Sequence, residues 1–130
     1  MNSIIAQQLL PLQQLYPRAS AAQLPSGAHL ITVPEVPITA GWNQQLISIL
    51  FLTPPAYPGG QPDCFWALPS GIRLQNGAVP QNSNDCNPIP EVVPAPQATW
   101  FSWHVQQWNP NQDSLLTYVN VILNRFRSLQ

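Results

Sequence analysis

Apolar positions fall into three kinds of pattern along this chain, and each predicts a different element. Ile4, Ile5, Leu9, Leu12 and Leu15 recur at helical spacing behind Asn2 or Ser3, so a first helix is predicted over residues 2–15 with one of those polar residues as its cap. Pro11 lies inside it and is expected to kink or split it. Residues 28–39 (AHLITVPEVPIT) alternate as a strand does, and Pro34 and Pro37 demote that strand to a sheet edge, because a proline donates no ladder hydrogen bond. Residues 46–53 (LISILFLT) form a continuous apolar run that ends on Pro54-Pro55, which reads as a buried strand. The glycines and prolines of PPAYPGG then force a reversal, and residues 64–68 (CFWAL) form the returning strand.

The second half of the chain is patterned differently. Residues 76–98 are rich in Pro, Asn and Gly and show no hydrophobic period, so they are read as one long irregular loop. A compact domain rarely keeps such a loop without a use for it. Residues 99–108 (TWFSWHVQQW) hold three of the five tryptophans. A final helix is predicted from about 112 to 127, capped by Asn111 or Asp113, with Leu115, Leu116, Val119, Ile122, Leu123 and Phe126 on its apolar face. Arg125 and Arg127 are placed at its C-terminal end, where the helix dipole favours cations.

Composition narrows the functional classes. The 130 residues make one domain, 1–130, with neither repeat nor second core. A net charge of -1 gives no electrostatic reason for nucleic-acid or anionic-membrane binding. Charged residues are 7% of the chain, against roughly 25% in ordinary globular proteins, so part of the surface is expected to be covered by a partner. Lysine is absent, which in so charge-poor a chain is read first as chance loss and which matters if the protein handles activated acyl groups, whose usual self-modification target is lysine. No apolar run reaches the ~20 residues of a membrane span and no leader pattern is seen, so the expectation is cytoplasmic. Cys64 and Cys86 are too few for a disulfide framework or a zinc pattern, so no cofactor or metal is signalled.

Two motifs in order supply the strongest indication. Tyr57-Pro58 followed by Pro62-Asp63-Cys64-Phe65-Trp66, and then Trp108-Asn109-Pro110 leading into a helix, resemble the central hairpin and the Trp-x-Pro tail of the ubiquitin-conjugating (E2) fold. With Trp100, Ser102 and His104, the pattern is closer to a bacterial E2-like group, prokaryotic E2 family E. The resemblance implies an α+β fold: an N-terminal helix, an antiparallel meander of three or four strands, a long active-site loop and a C-terminal helix, without the last two helices of conventional E2 proteins. It also implies an E2-like carrier that takes a ubiquitin-like protein from an E1-like adenylating enzyme, with helix 2–15 as a partner surface. An alternative is a non-catalytic E2 variant that binds either partner as a scaffold. A third is an unrelated α+β interaction domain that shares only the order of elements.

The departures from conventional E2 proteins shape the chemical expectation. The position of their nucleophilic cysteine is held here by Trp100, and their His-Pro-Asn motif is missing. Ser102 and His104 stand close by. On an extended segment residues i and i+2 share a face, so an imidazole can serve a hydroxyl as base; on a helix the two diverge. Ser102 is therefore the candidate nucleophile of an oxyester carrier and His104 its base, against a bland reading in which both merely pack or bond locally. Loop-backbone amides are expected to serve as the oxyanion site. Cys86 is the rival nucleophile: its distance from Tyr57-Pro58 suits that role, but its distance from Trp108 does not, and Asp85 beside it disfavours a thiolate. Cys64 is read as a buried apolar residue of the strand, Asp63 as a turn former, His29 as structural or solvent-facing, and the tryptophans as core before ligand platform.

Overall fold

The computed structural model describes residues 2–130. Asn2 caps the first helix, α1 (Ser3–Leu15), by accepting the Ile4 amide at 2.8 Å. Pro11 lies inside α1 and the helix runs through it unbroken. Ile5 and Leu12 are its fully buried residues, while Leu10 and Leu15 remain 63% exposed.

Six strands form one antiparallel sheet: β1 (Ser20–Gln23), β2 (His29–Pro37), β3 (Leu46–Thr53), β4 (Phe65–Leu68), β5 (Ser83–Asn84) and β6 (Thr99–Phe101), in the order β1-β2-β3-β4-β6-β5. The hairpin expected from the apolar run is present, with Ser48 opposite Leu68 and Leu50 opposite Trp66.

Two expectations are corrected. β2 is an interior strand, paired with β1 on one side and β3 on the other. Pro34 is tolerated because the ladder breaks register between Val33 and Val36, with Glu35 at φ 61, so it falls in a bulge where no amide is required, and Pro37 is the last residue of the strand. The meander is also larger than three or four strands: β1 takes the edge, and the long loop contributes the two residues of β5.

The second helix, α2 (Leu115–Phe126), is capped by Ser114 in a reciprocal capping box with Thr117, which replaces the cap expected at Asn111 or Asp113. Its buried face is Leu115, Tyr118, Val119, Ile122, Arg125 and Phe126; Leu116 and Leu123 only flank the core. Arg125 stands in the last turn, as the dipole reading places it, and is also buried. It is 3% exposed, donates to backbone oxygens of Gln81, Ser128 and Gln130 at 2.9–3.2 Å, and lies over the rings of Trp42, Phe101 and Trp103.

The core lies between the helices and one face of the sheet, where Ile31, Val33, Ile49, Phe51, Phe65 and Phe101 meet Ile5, Leu12, Tyr118 and Phe126. Leu50 and Trp66 point to the other face, which the long loop covers with Ile89 and Ala98. That loop is tied down at Trp66, whose indole donates to the Asn87 carbonyl at 2.6 Å, and at Ser26, which bonds Glu91 at 2.7 and 2.8 Å. His29 is buried rather than solvent-facing, with its Nε2 and the hydroxyl of its cross-strand partner Thr53 both without hydrogen-bond partners. Among the described residues no helix is long and apolar enough to cross a membrane.

Candidate functional site

The pairing of β4 with β6 determines what meets at the site. Phe65 stands opposite Phe101, so the residues just before β4 and those just after β6 leave the ladder at the same end. Asp63 and Cys64 come from the first segment, and Ser102 and His104 from the second. The Cys64 amide continues the pairing by donating to the Trp103 carbonyl at 3.0 Å. From below, the buried Tyr118 hydroxyl of α2 donates to the Cys64 carbonyl at 2.8 Å. Burial above all, with the charges of Cys64 and then Asp63 behind it, pushes the Tyr118 phenol far above its usual range, so it remains a donor.

The two motifs that carry the resemblance also pack together. The Tyr57 and Trp108 rings lie 5.9 Å apart, and the Trp108 indole donates to the Pro58 carbonyl at 2.8 Å. The Tyr57 hydroxyl donates to Gln8 of α1, whose side-chain oxygen also accepts the first amide of α2 at 3.2 Å. Burial raises the Tyr57 phenol well above its ordinary value. Thus α1, the Tyr-Pro turn and the head of α2 are held as one unit that fixes where the site segments begin.

The His104 ring is hydrogen-bonded through Nδ1 to the Asp63 carboxylate, and both side chains are 57% exposed. Asp63 therefore orients the imidazole, a role missed when it was read as a turn former. One ligand-type atom from each of Asp63, Cys64 and His104 lies within 4.8 Å of the others. Cys64 is only partly buried and stands just outside β4 at φ 63, which corrects its reading as a buried strand residue. Burial raises its thiol pKa; a backbone hydrogen bond from Trp103 opposes this, the charge of Asp63 adds to it, and a hydrogen bond with Ser102 opposes it.

Ser102 follows β6 on non-helical backbone, as the extended reading requires, and its amide donates to the Asn82 carbonyl at 2.8 Å. Its hydroxyl lies close enough to the Cys64 thiol to lower that thiol's pKa slightly, whereas His104 bonds to Asp63. The fold gathers Ser102 and His104 around Cys64 without bonding them directly to each other. Beside them, Trp103, His104, Val105, Gln106, Gln107, Val121 and Asn124 line a shallow depression of ≈ 310 Å³.

Cys86 lies elsewhere, exposed in the long loop, with its amide and thiol both near the Asn84 side-chain oxygen at 3.1 and 3.5 Å. Its neighbour Asp85 is occupied in structure. Burial opposes its ionisation, but the Thr99 hydroxyl, Arg73 and the Gly71 amide outweigh that and hold the carboxyl below its usual range.

The family model of prokaryotic E2 family E matches residues 21–128. Among curated proteins and solved structures, none matches the chain.

Proposed function

This chain belongs to prokaryotic E2 family E, and from that premise we propose that it is a carrier in a bacterial ubiquitin-like conjugation pathway, loaded as an oxyester on Ser102. The family supports an E2-like role. The observation that supports a reacting centre is the His104 imidazole, hydrogen-bonded to Asp63 and set at the strand end where Ser102 and Cys64 emerge.

In the proposed step the Ser102 oxygen attacks the thioester carbonyl that links the ubiquitin-like protein to an E1-like enzyme. His104 accepts the hydroxyl proton, after a side-chain rotation that brings its ring to Ser102, and Asp63 stabilises the imidazolium. The tetrahedral oxyanion is received by loop-backbone amides. It collapses with loss of the E1 thiolate, which takes the proton back from His104. The exposed apolar residues of α1, Leu10 and Leu15, are the proposed contact for the E1-like partner. The cytoplasm, where adenylating enzymes find ATP, is the proposed compartment.

A second reading is favoured by one observation. Cys64 lies within 4.8 Å of the Asp63–His104 pair, so its thiol is itself positioned as a nucleophile and would form a thioester.

One experiment separates these readings. The protein is incubated with ATP, a ubiquitin-like protein and an E1-like enzyme from the same gene cluster, and its intact mass is measured. The oxyester reading expects an adduct that resists a reducing thiol, is cleaved by hydroxylamine, and is lost in Ser102→Ala. An adduct that a reducing thiol cleaves and that is lost in Cys64→Ala assigns the nucleophile to Cys64; loss in Cys86→Ala moves it to the loop. If the E1-like enzyme is charged but no adduct forms, the protein is a non-catalytic scaffold.

A further inference from the structure

The fold brings together three residues that a sequence scan for metal patterns passes over. Asp63 and Cys64 are adjacent, while His104 lies 41 residues from Asp63 and reaches them only through the β4–β6 pairing. We propose that Asp63, Cys64 and His104 form a zinc-binding site, and that a bound Zn2+ ion shuts off the acyl-carrier chemistry. The regulatory half rests on the carrier reading above; the metal-binding half does not.

The donor set selects the class of ion. A thiolate sulfur and an imidazole nitrogen with one carboxylate oxygen suit Zn2+ and its spectroscopic substitute Co2+, whereas Mg2+ and Ca2+ prefer oxygen alone. Three protein ligands leave a fourth position for water, the open form of zinc coordination.

Geometry asks for a modest rearrangement. Zinc bonds of ~2.3 Å to sulfur and ~2.0 Å to nitrogen or oxygen place tetrahedral donors about 3.3–3.6 Å apart. The Asp63 and His104 donors, hydrogen-bonded to each other, are closer than that and must part to admit an ion, while all three donors lie within 4.8 Å. Both adjustments, of about 1 Å, fall to the Asp63 and His104 side chains, each more than half exposed. The Cys64 backbone is the fixed member, held from both sides by the Trp103 carbonyl and the Tyr118 hydroxyl.

The consequence for chemistry is direct. When a ring nitrogen of His104 and the Asp63 oxygen are bound to metal, the imidazole is unavailable as a base for Ser102. Zinc therefore acts as a reversible brake that chelation releases.

The test begins with the purified full-length protein under reducing conditions, titrated with Co2+. Binding at this site gives a thiolate-to-cobalt charge-transfer band in the near-ultraviolet together with the visible bands of tetrahedral cobalt, and both bleach on adding Zn2+. Cys64→Ser is expected to abolish the charge-transfer band, and Asp63→Asn and His104→Ala to weaken binding at least about 10-fold, the loss that removing even an outer-shell partner produces. Cys86→Ser should leave the spectrum unchanged. Unaltered circular dichroism of each variant separates loss of ligand from loss of fold. A band that survives Cys64→Ser, or that disappears in Cys86→Ser, overturns the site, as does the absence of any band at millimolar cobalt.

In the second arm, Zn2+ is added to the carrier assay after the E1-like enzyme has been charged. The expected result is at least a 10-fold slower transfer that EDTA reverses; undiminished transfer at saturating zinc overturns the brake. Failure of the wild-type protein to form an adduct without zinc counts against the carrier reading and with it the brake, while the cobalt titration decides the metal site alone.

Discussion

Removing a single buried oxygen tests whether α2 holds the site in place. Tyr118 is fully buried, its ring packs edge-on against Phe51 at 4.9 Å between centroids, and its hydroxyl donates to the Cys64 carbonyl at 2.8 Å, with the Trp103 carbonyl at 3.5 Å. Tyr118→Phe keeps the ring contact and removes only the donor. A net hydrogen bond contributes about 1 kcal/mol, and an acceptor left buried without a partner costs about 1–3 kcal/mol. Cys64 is also held at φ 63, where a side chain other than glycine carries about 1–3 kcal/mol of strain that its surroundings must offset. Removal of the clamp lets that strain relax, so the net loss of stability is set at about 1–3 kcal/mol. For a chain of this length that corresponds to a fall in Tm of about 4–12 °C, at about 4 °C per kcal/mol.

Relaxation of Cys64 displaces its neighbour Asp63, and with it the imidazole that Asp63 orients. Misplacement by about 1 Å costs on the order of 100-fold in a positioned reaction. The assay is therefore double: thermal unfolding of Tyr118→Phe beside wild type, and the rate of adduct formation at a temperature where both are folded. A Tm within about 1 °C of wild type together with an unchanged rate would show that the hydroxyl neither stabilises the fold nor positions the site.

Other perturbations probe the remaining observations. Iodoacetamide near neutral pH should label exposed Cys86 first and Cys64 slowly, because burial raises the Cys64 thiol; Cys64 labelling should accelerate only above the ordinary thiol pKa of about 8.5, followed by peptide mass spectrometry. His29 has its pKa lowered, chiefly by burial, so the folded state refuses a proton that the unfolded chain accepts. Its contribution is full above about pH 6.5 and is lost as the pH falls below it, and His29→Phe should flatten that part of a urea-midpoint profile. Arg125→Ala should cost about 3 kcal/mol or more in urea unfolding, since it removes three charge-assisted hydrogen bonds, and Arg125→Lys should restore only part because one ammonium cannot span the same oxygens. Binding of an E1-like partner through Leu10 and Leu15 should be nearly independent of salt; a steep decline would assign the contact to arginines instead.

The elements that were legible in the sequence are those whose signal is local. The apolar run of β3 ends where Pro54-Pro55 ends it, and α1 begins at its Asn2 cap. The cap of α2 was misplaced because Asn111, Asp113 and Ser114 are all competent acceptors, and only the Ser114–Thr117 reciprocity distinguishes them. Pro34 misled for a related reason. The rule that prolines lie at edges assumes an unbroken ladder, and the Glu35 bulge that exempts this one is set by pairing with β3, not by its own neighbours. β1 and β5, with four and two residues, carry too few positions to show a period.

The site divides along the same line. Ser102 and His104 are two residues apart, so their nearness along the chain is visible in the sequence, while the absence of a bond between them is not. Asp63 and Cys64 gave no comparable signal, since their partnership with His104 depends on β4 and β6 aligning at Phe65 and Phe101 across a loop whose path no local pattern reveals. That register also explains why a cysteine with the pattern of one more apolar strand residue stands beside Asp63 and His104. A shift of one residue in the β4–β6 ladder would reverse the faces of the strand and turn Phe65 out of the core. The burial of Phe65 against Phe101 and Phe126 therefore selects the alignment that leaves Cys64, Asp63, Ser102 and His104 together at the strand end. Packing on the helix side of the sheet thus determines which polar groups meet beyond its edge.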